Sequence, residues 1–154
     1  MDYTMRMSPQ YAVRVLGLFT AALMSAAVYA KECGPTPAML EGTHSSPVTR
    51  EQVDIGKGLV VQGRVLAAPD CRPVPGARIA HWQAGEKGRY VDHLRAWLTS
   101  GEDGGYRFET EWPALPTPHI HFTVTAEGFR PLTTQWVGDV PVDRVEFDII
   151  LSPE

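Results

Sequence analysis

The sequence has no excess of basic residues, no internal repeat and no apolar run long enough to span a bilayer. Its 14 Lys and Arg against 18 Asp and Glu give a formal charge of −4, so it lacks the basic surface that binding to nucleic-acid phosphates requires. Hydrophobic residues make up 44% and charged residues 21% of 154 residues, which excludes collagen, coiled-coil and acidic disordered chains and fits one folded domain. The 14 glycines and 13 prolines predict many turns and few long helices.

Residues 1–30 have the pattern of an export signal. Arg6 and Arg14 accompany an apolar run over residues 15–30, which ends in Val28-Tyr29-Ala30 with small residues at the positions that a signal peptidase reads. The run of about 16 residues is shorter than the roughly 20 that span a membrane, so a retained anchor is the weaker alternative. We therefore predict a signal peptide at 1–30, and a periplasmic or secreted mature protein without a stable membrane span.

Cys33 and Cys71 are the only cysteines, and both follow the predicted cleavage point. An oxidising compartment favours a disulfide between them. Two separate buried thiols are the alternative, because the sequence alone does not show whether the two Cα atoms lie close enough for a bridge.

From residue 58 onward, apolar and polar residues alternate between turn signals, as they do in half-buried strands. The predicted strands cover residues 59–66, 77–82, 94–99, 106–110, 119–125, 133–137 and 145–151. Short strands at this spacing indicate an all-β fold, with a two-sheet β-sandwich domain over residues 58–154. Residues 31–57 are rich in Pro, Thr and Ser and lack periodicity, which predicts an extended N-terminal arm.

Two histidines in one predicted strand are the first candidates for a functional site. Side chains alternate along a strand, so His119 and His121 share one face, while Ile120 and Phe122 share the other. Neutral imidazoles are common ligands of transition metals, and two on one face suit a single ion. For an isolated pair, hydrogen bonding at the rim of the sheet is the favoured interpretation.

Tyr90 and Tyr106 each follow a glycine turn upstream of the histidine pair. Three segments complete a pattern in chain order: Pro-Val-Pro-Gly-Ala at 73–77, Pro-His-Ile-His-Phe at 118–122 and Gly-Phe-Arg-Pro-Leu-Thr-Thr-Gln at 128–135. Over residues 33–136 this pattern resembles the intradiol ring-cleavage dioxygenases, the family of catechol and protocatechuate dioxygenases, whose core is a β-sandwich. Residues 36–42 and the two cysteines are similar to the exported, single-domain branch of the family, which also implies a Cys33–Cys71 bridge.

The resemblance implies a mononuclear, non-haem ferric ion, Fe³⁺, held by Tyr90, Tyr106, His119 and His121. Phenolate is a hard anionic donor that favours the ferric state, and the charge of the cation supplies the shift from the usual tyrosine pKa near 10. Taken singly, each tyrosine favours a structural role, in which it caps a turn and buries its ring.

The family reaction uses O2 to cleave a catechol-type ring between its two hydroxyl-bearing carbons, giving a muconate-type diacid. The resemblance implies that Tyr106, once displaced by substrate, acts as a base for a catechol proton. It also implies catalytic roles for Gln135, sixteen residues after His119, and for Arg95, in the strand before Tyr106. By themselves, Gln135 fits a surface amide and Arg95 a solvated strand charge.

One departure from the family pattern concerns charge stabilisation. Pro116 stands three residues before His119, where the family normally has an arginine that stabilises developing negative charge. Loss of such a donor typically costs about 3 kcal/mol of transition-state stabilisation. The arginines that are candidates to replace it are Arg89, Arg95, Arg107 and Arg130.

Three functions follow from these patterns. The first is an exported intradiol dioxygenase whose partners are a small-molecule catechol and O2; its oligomeric state, including a homo-oligomer, is left open. The second is a catalytically weak or inactive iron- or catechol-binding module of the same family, and the third is a metal-free, transthyretin-like carrier or adhesion module. A copper–zinc superoxide dismutase is excluded because no histidine follows His121, and an amidohydrolase barrel needs about 250 residues.

Overall fold

The computed structural model describes residues 33–42 and 44–154, so the predicted signal peptide at 1–30 lies outside the described residues. The strands are β1 (Leu59–Ala67), β2 (Arg78–Ala84), β3 (Tyr90–Thr99), β4 (Gly105–Thr110), β5 (His119–Thr125), β6 (Leu132–Val137), β7 (Arg144–Glu146) and β8 (Ile149–Leu151). A single 3₁₀ turn, Glu86–Gly88, connects β2 to β3. Within this part of the chain there is no helix of the length and hydropathy that a membrane span needs.

The strands form two sheets of four strands each. The first sheet has the order β3-β2-β5-β6 and is antiparallel throughout. In the second sheet β1 lies between β4 and β7, and β8 also pairs with β1. β1 is antiparallel to β4 and parallel to β7 and β8. The predicted two-sheet β-sandwich is therefore confirmed.

The core lies between the two sheets, and the alternation of side chains in β5 shows why the site lies elsewhere. Ile120, Phe122 and Val124 are fully buried members of the core. Their neighbours along the strand point the opposite way, so His119 and His121 lie on the outer face of the first sheet. One face of each strand is enough to build the core, and the other face is available for chemistry.

The last predicted strand, 145–151, is divided into β7 and β8. At the break, the chain passes directly over Gly63 of β1, where an added Cβ would lie 2.1 Å from the Phe147 carbonyl oxygen. The Phe147 amide donates to the Gln62 carbonyl at 2.8 Å, and the Asp148 carboxylate accepts from the Arg64 amide at 2.8 Å. A side-chain bond thus replaces part of the ladder, which interrupts the strand.

β3 starts at Tyr90, four residues before the predicted start of this strand at residue 94. The short 3₁₀ turn reverses the chain, so β3 pairs with β2 from its first residue. Ala84 lies opposite Tyr90, and a bulge between Trp82 and Ala84 separates this pair from the rest of the ladder. The extension makes Tyr90 the first residue of an edge strand.

A Cys33–Cys71 disulfide ties the beginning of the arm to the loop after β1, with the two Cα atoms 5.3 Å apart. The predicted pairing is therefore confirmed. The described residues between 33 and 57 contain no helix or strand, only isolated bridges at Glu51 and Asp54. The domain boundary between residues 57 and 58 stays a prediction.

The arm runs across the outer face of the first sheet from one edge to the other. The Met39 amide donates to the Thr133 carbonyl of β6 at 2.8 Å. Farther along, the Arg78 guanidinium of β2 donates to the Val48 carbonyl at 2.7 Å, and the Trp97 amide of β3 donates to the Arg50 carbonyl at 2.8 Å. The arm therefore forms a cover over the face that carries the histidines.

Candidate metal centre

The first sheet brings four residues into one row on its outer face. Arg95 of β3 pairs with Trp82 of β2, Trp82 pairs with His121 of β5, and His121 pairs with Gln135 of β6. Residues that are directly opposite in antiparallel strands share a face. The sequence-predicted residues Arg95, His121 and Gln135 therefore lie side by side, with Trp82 between the first two.

Tyr90 and His119, the first residues of β3 and β5, converge with His121 beside this row. The Tyr90 hydroxyl oxygen lies 3.0 Å from His119 Nε2 and 3.2 Å from His121 Nε2. The two imidazole planes are 84° apart, so the two nitrogens approach the phenol from different directions. Ligands bound about 2.0–2.2 Å from a common ion lie about 3 Å from one another. The phenol oxygen therefore stands from each of the two imidazole nitrogens at the distance expected between ligands of one ion.

Neighbouring groups orient both imidazoles. His119 Nδ1 lies 2.8 Å from the Thr117 carbonyl oxygen, which places the proton on Nδ1 and leaves the Nε2 lone pair available to a metal. The Trp82 indole stacks on His121, with ring centroids 5.0 Å apart and planes at 5°. Burial, with smaller effects of the charges at His119, Arg95 and His44, lowers the pKa of His121 to about 4. His121 is therefore neutral at physiological pH, as a ligand must be.

Tyr90 and Arg95 are electrostatically coupled. Burial raises the pKa of the Tyr90 phenol above its usual value, and the positive charge of Arg95 opposes part of that rise. The guanidinium carbon of Arg95 lies 5.9 Å from the Tyr90 ring centroid. Without a cation the phenol stays protonated at neutral pH, and a bound cation would supply the charge that removes its proton.

The donor cluster opens into a cavity of about 330 Å³, lined by Glu41, Gly42, His44, Gly88, Tyr90, Leu115, His119 and His121. His44 belongs to the arm, and its ring stacks on Tyr90 with centroids 4.4 Å apart and planes at 11°. Its carbonyl oxygen accepts a hydrogen bond from Arg95 Nη2 at 2.8 Å. Sequence reasoning missed His44 and Leu115 because neither lies in a periodic segment; the available signal for His44 was only its residue type.

Comparison with known proteins gives the family. The chain is 35% identical to the hydroxyquinol 1,2-dioxygenase of Nocardioides simplex, over 70% of this chain and 47% of that protein. It is 31% identical to the catechol 1,2-dioxygenase of Acinetobacter baylyi, over 52% of this chain and 35% of that protein. Its fold matches the dioxygenase domain of a dioxygenase and carbohydrate-binding fusion from Streptomyces sp. SirexAA-E, with a TM-score of 0.70, 26% identity, and coverage of 79% of this chain and 100% of that chain. The chain belongs to the intradiol ring-cleavage dioxygenase family.

Further comparisons show how far the similarity to this family extends. The 3-chlorocatechol 1,2-dioxygenase from Rhodococcus opacus 1CP has the same fold, with a TM-score of 0.68 and 16% identity over 77% of this chain and 73% of that chain. No family profile matches the sequence. The chain spans about half or less of the length of the curated intradiol relatives named above. Membership of the exported branch of the family stays a prediction.

Tyr106, predicted as the second tyrosinate ligand of an intradiol iron site, does not lie with the other three residues. It belongs to β4 in the second sheet, is 5% exposed, and packs against the core residue Phe122. Its hydroxyl donates to the carbonyl oxygen of Phe147. Burial, reinforced by the negative charges of Asp148 and Glu146, raises the pKa of the Tyr106 phenol. The expectation that Tyr106 is a ligand and a base is therefore corrected: Tyr106 is a core residue, the alternative considered for an isolated tyrosine.

Among the four arginines considered as replacements for the family arginine, the structure places the guanidinium of Arg95 against Tyr90. Arg95 is 8% exposed, and its Nη1 is buried without a hydrogen-bond partner in the described part of the chain. Arg107 lines a cavity on the second sheet, and Arg130 lines one beside the start of the arm. Arg89 is exposed just before β3. Arg95 is thus the cation that the fold brings to the donor cluster.

Proposed function

We propose that the chain is an exported, ferric-iron intradiol dioxygenase that uses O2 to cleave a catechol-type ring between its two hydroxyl-bearing carbons, giving a muconate-type diacid. The observation that supports this most directly is the convergence of Tyr90 Oη on His119 Nε2 and His121 Nε2, at 3.0 and 3.2 Å. The names of the curated relatives state hydroxyquinol and catechol as their substrates, and both are aromatic rings with two adjacent hydroxyl groups. The disulfide supports an oxidising compartment.

The donor set fits a ferric ion. One phenol that can become a hard anionic phenolate and two neutral imidazoles form a mixed oxygen and nitrogen set. The low pKa of His121 keeps that imidazole neutral, and the carbonyl of Thr117 fixes the tautomer of His119. When bound, ferric iron supplies Lewis-acid activation and a template for the diol and O2.

The residues around the donor cluster shield His121 from water and offer polar groups to a substrate. Trp82, 3% exposed, excludes water from one face of His121. Arg95 places positive charge beside the phenol of Tyr90 and keeps one guanidinium nitrogen unpartnered within the described residues, so it suits stabilisation of negative charge that develops on substrate. Gln135, half-buried and paired with His121, offers an amide from the other side of the row.

The size of the cavity favours a small substrate. About 330 Å³ lies at the low end of the range for ligand pockets. Gly88 and Leu115 give one part of its wall little polarity, whereas Glu41 and His44 make another part polar. A single aromatic ring with two adjacent hydroxyls fits both the volume and this mixed wall.

A spectral titration of the purified chain tests the proposal. Iron-loaded protein is expected to show tyrosinate-to-iron charge-transfer colour, which shifts on addition of catechol under nitrogen and decays on exposure to oxygen as the diacid forms. Protein that contains no iron after loading, or whose spectrum does not respond to catechol, would contradict it. Cell fractionation of the full chain tests the export.

One observation favours a second function within the same family. The position of Tyr106 in the core removes the group expected to take the catechol proton, so the site would bind iron and catechol without efficient turnover. In that case the catechol-shifted spectrum persists in oxygen and no diacid is formed. The oxygen step of the titration therefore separates the enzyme from the binding module.

A further inference from the structure

We propose that His44, carried by the arm, is the fourth protein donor to the metal ion at this site. This inference rests on the proposed function, because it concerns the same ion. It follows from the finding that the fold assembles three of the four expected ligands and places Tyr106 on the core side of the sandwich. The position that Tyr106 leaves open must be filled by solvent, by substrate or by another side chain of the cavity.

The cavity wall contains two further side chains with donor atoms, Glu41 and His44. His44 is the one that the structure holds against the cluster. Its ring lies parallel to that of Tyr90 at 4.4 Å between centroids, and its backbone carbonyl is bonded to Arg95 Nη2 at 2.8 Å. Imidazole also matches the chemistry of the two histidines already present, since it is a neutral nitrogen donor suited to iron.

Arg95 acts here as a positioning residue. Its guanidinium contacts the Tyr90 ring and the His44 carbonyl at the same time. Because the Met39 amide and the Val48 carbonyl are also bonded to the first sheet, the arm is attached on both sides of His44. The backbone of His44 is therefore held beside the site while its side chain keeps rotational freedom.

The side chain must turn to reach the ion. In the described residues, no three His, Cys, Asp or Glu side chains are gathered as a metal cluster, so the His44 ring rests on Tyr90 and does not yet join His119 and His121. His44 is exposed, and exposed side chains change rotamer within nanoseconds. Metal binding would exchange the ring stacking for coordination. The completed set would contain one anionic oxygen and three neutral nitrogens.

The test measures iron affinity by competition with a chelator, on the full chain with its disulfide. We expect His44→Ala to weaken iron binding by at least about tenfold, the loss that even an outer-sphere partner of a metal ligand causes. His93→Ala is the matched control, because it removes an exposed imidazole of β3 that does not line the cavity. Glu41→Gln tests the other donor of the wall, and its iron affinity is expected to equal that of the wild type.

Added imidazole separates a donor from a structural residue. In His44→Ala, free imidazole should restore iron affinity and the charge-transfer spectrum, whereas it would not repair a displaced arm. Unchanged affinity in His44→Ala, loss confined to Glu41→Gln, or failure of imidazole to restore a variant that melts like the wild-type apoprotein would each overturn the inference. A wild-type chain that binds no iron would instead refute the proposed function, and this inference with it.

Discussion

Removal of the phenol oxygen is expected to have opposite consequences at Tyr106 and Tyr90. In Tyr106→Phe the buried ring is retained, and the hydrogen bond to the Phe147 carbonyl is lost. A lost hydrogen bond that leaves a partly buried acceptor without its donor costs about 1–2 kcal/mol. For a domain of this size, the melting temperature should fall by about 3–10 °C. Iron content and colour should stay at wild-type levels, because Tyr106 lies outside the candidate metal centre.

Tyr90→Phe should behave in the reverse way. The Tyr90 oxygen lies between the two Nε2 atoms on the outer face of the sheet, so its loss should abolish the charge-transfer band and reduce the iron content. The free energy of unfolding of the apoprotein should change by less than about 1 kcal/mol, since a partly exposed hydroxyl is replaced by hydrogen.

Urea unfolding of the two apoproteins, together with iron analysis and visible spectra of the loaded proteins, completes the comparison. Loss of colour with unchanged stability in Tyr106→Phe would contradict the core position of Tyr106, because Tyr106 would then reach the ion in solution. Retention of both iron and colour in Tyr90→Phe would exclude Tyr90 as a ligand.

Three further changes have defined outcomes. His121→Ala should reduce bound iron to well below one ion per chain in metal analysis, and full occupancy with unchanged colour would exclude His121 as a ligand. His81 is fully buried, and burial lowers its pKa from 6.5 to about 3, so below pH 6.5 the unfolded chain binds a proton that the folded chain does not. As the pH decreases below 6.5, urea unfolding should therefore show the free energy of unfolding decreasing by up to about 1.4 kcal/mol per pH unit. The decrease per pH unit should be smaller in His81→Leu. Loss of the Cys33–Cys71 bridge, which joins residues 38 apart, should cost about 4 kcal/mol, and equal melting temperatures with and without reductant would contradict this.

The fold was largely predictable because alternation along strands reports burial locally. The bounds predicted for β5, 119–125, are those observed, since polar and apolar residues alternate there without interruption. The division of 145–151 into two strands was not predictable in the same way. It depends on the close passage of Phe147 over Gly63, a contact between residues more than eighty positions apart.

The site was predictable where it lies on a strand and not where it depends on the arm. His119 and His121 are two residues apart in a strand, so their side chains lie on the same face of the sheet. The family resemblance added Tyr90 to this pair. Tyr106 was misassigned although its strand contained the correction: Tyr106 and Phe108 share one face of β4, and both are buried in the core. His44 reaches the cavity through contacts of the arm that no local pattern encodes.

The route of the arm also affects how the protein meets its neighbours. The sheet of order β3-β2-β5-β6 has two edge strands, β3 and β6. An edge strand with unpaired backbone groups pairs readily with strands of other chains. The arm bonds to both: the Met39 amide reaches Thr133 of β6, and Arg50 and Gln52 exchange backbone hydrogen bonds with Trp97 of β3. The segment that covers the candidate metal centre therefore also protects the sheet against edge-to-edge aggregation. A chain shortened to its two sheets would lose colloidal stability together with the wall of its cavity.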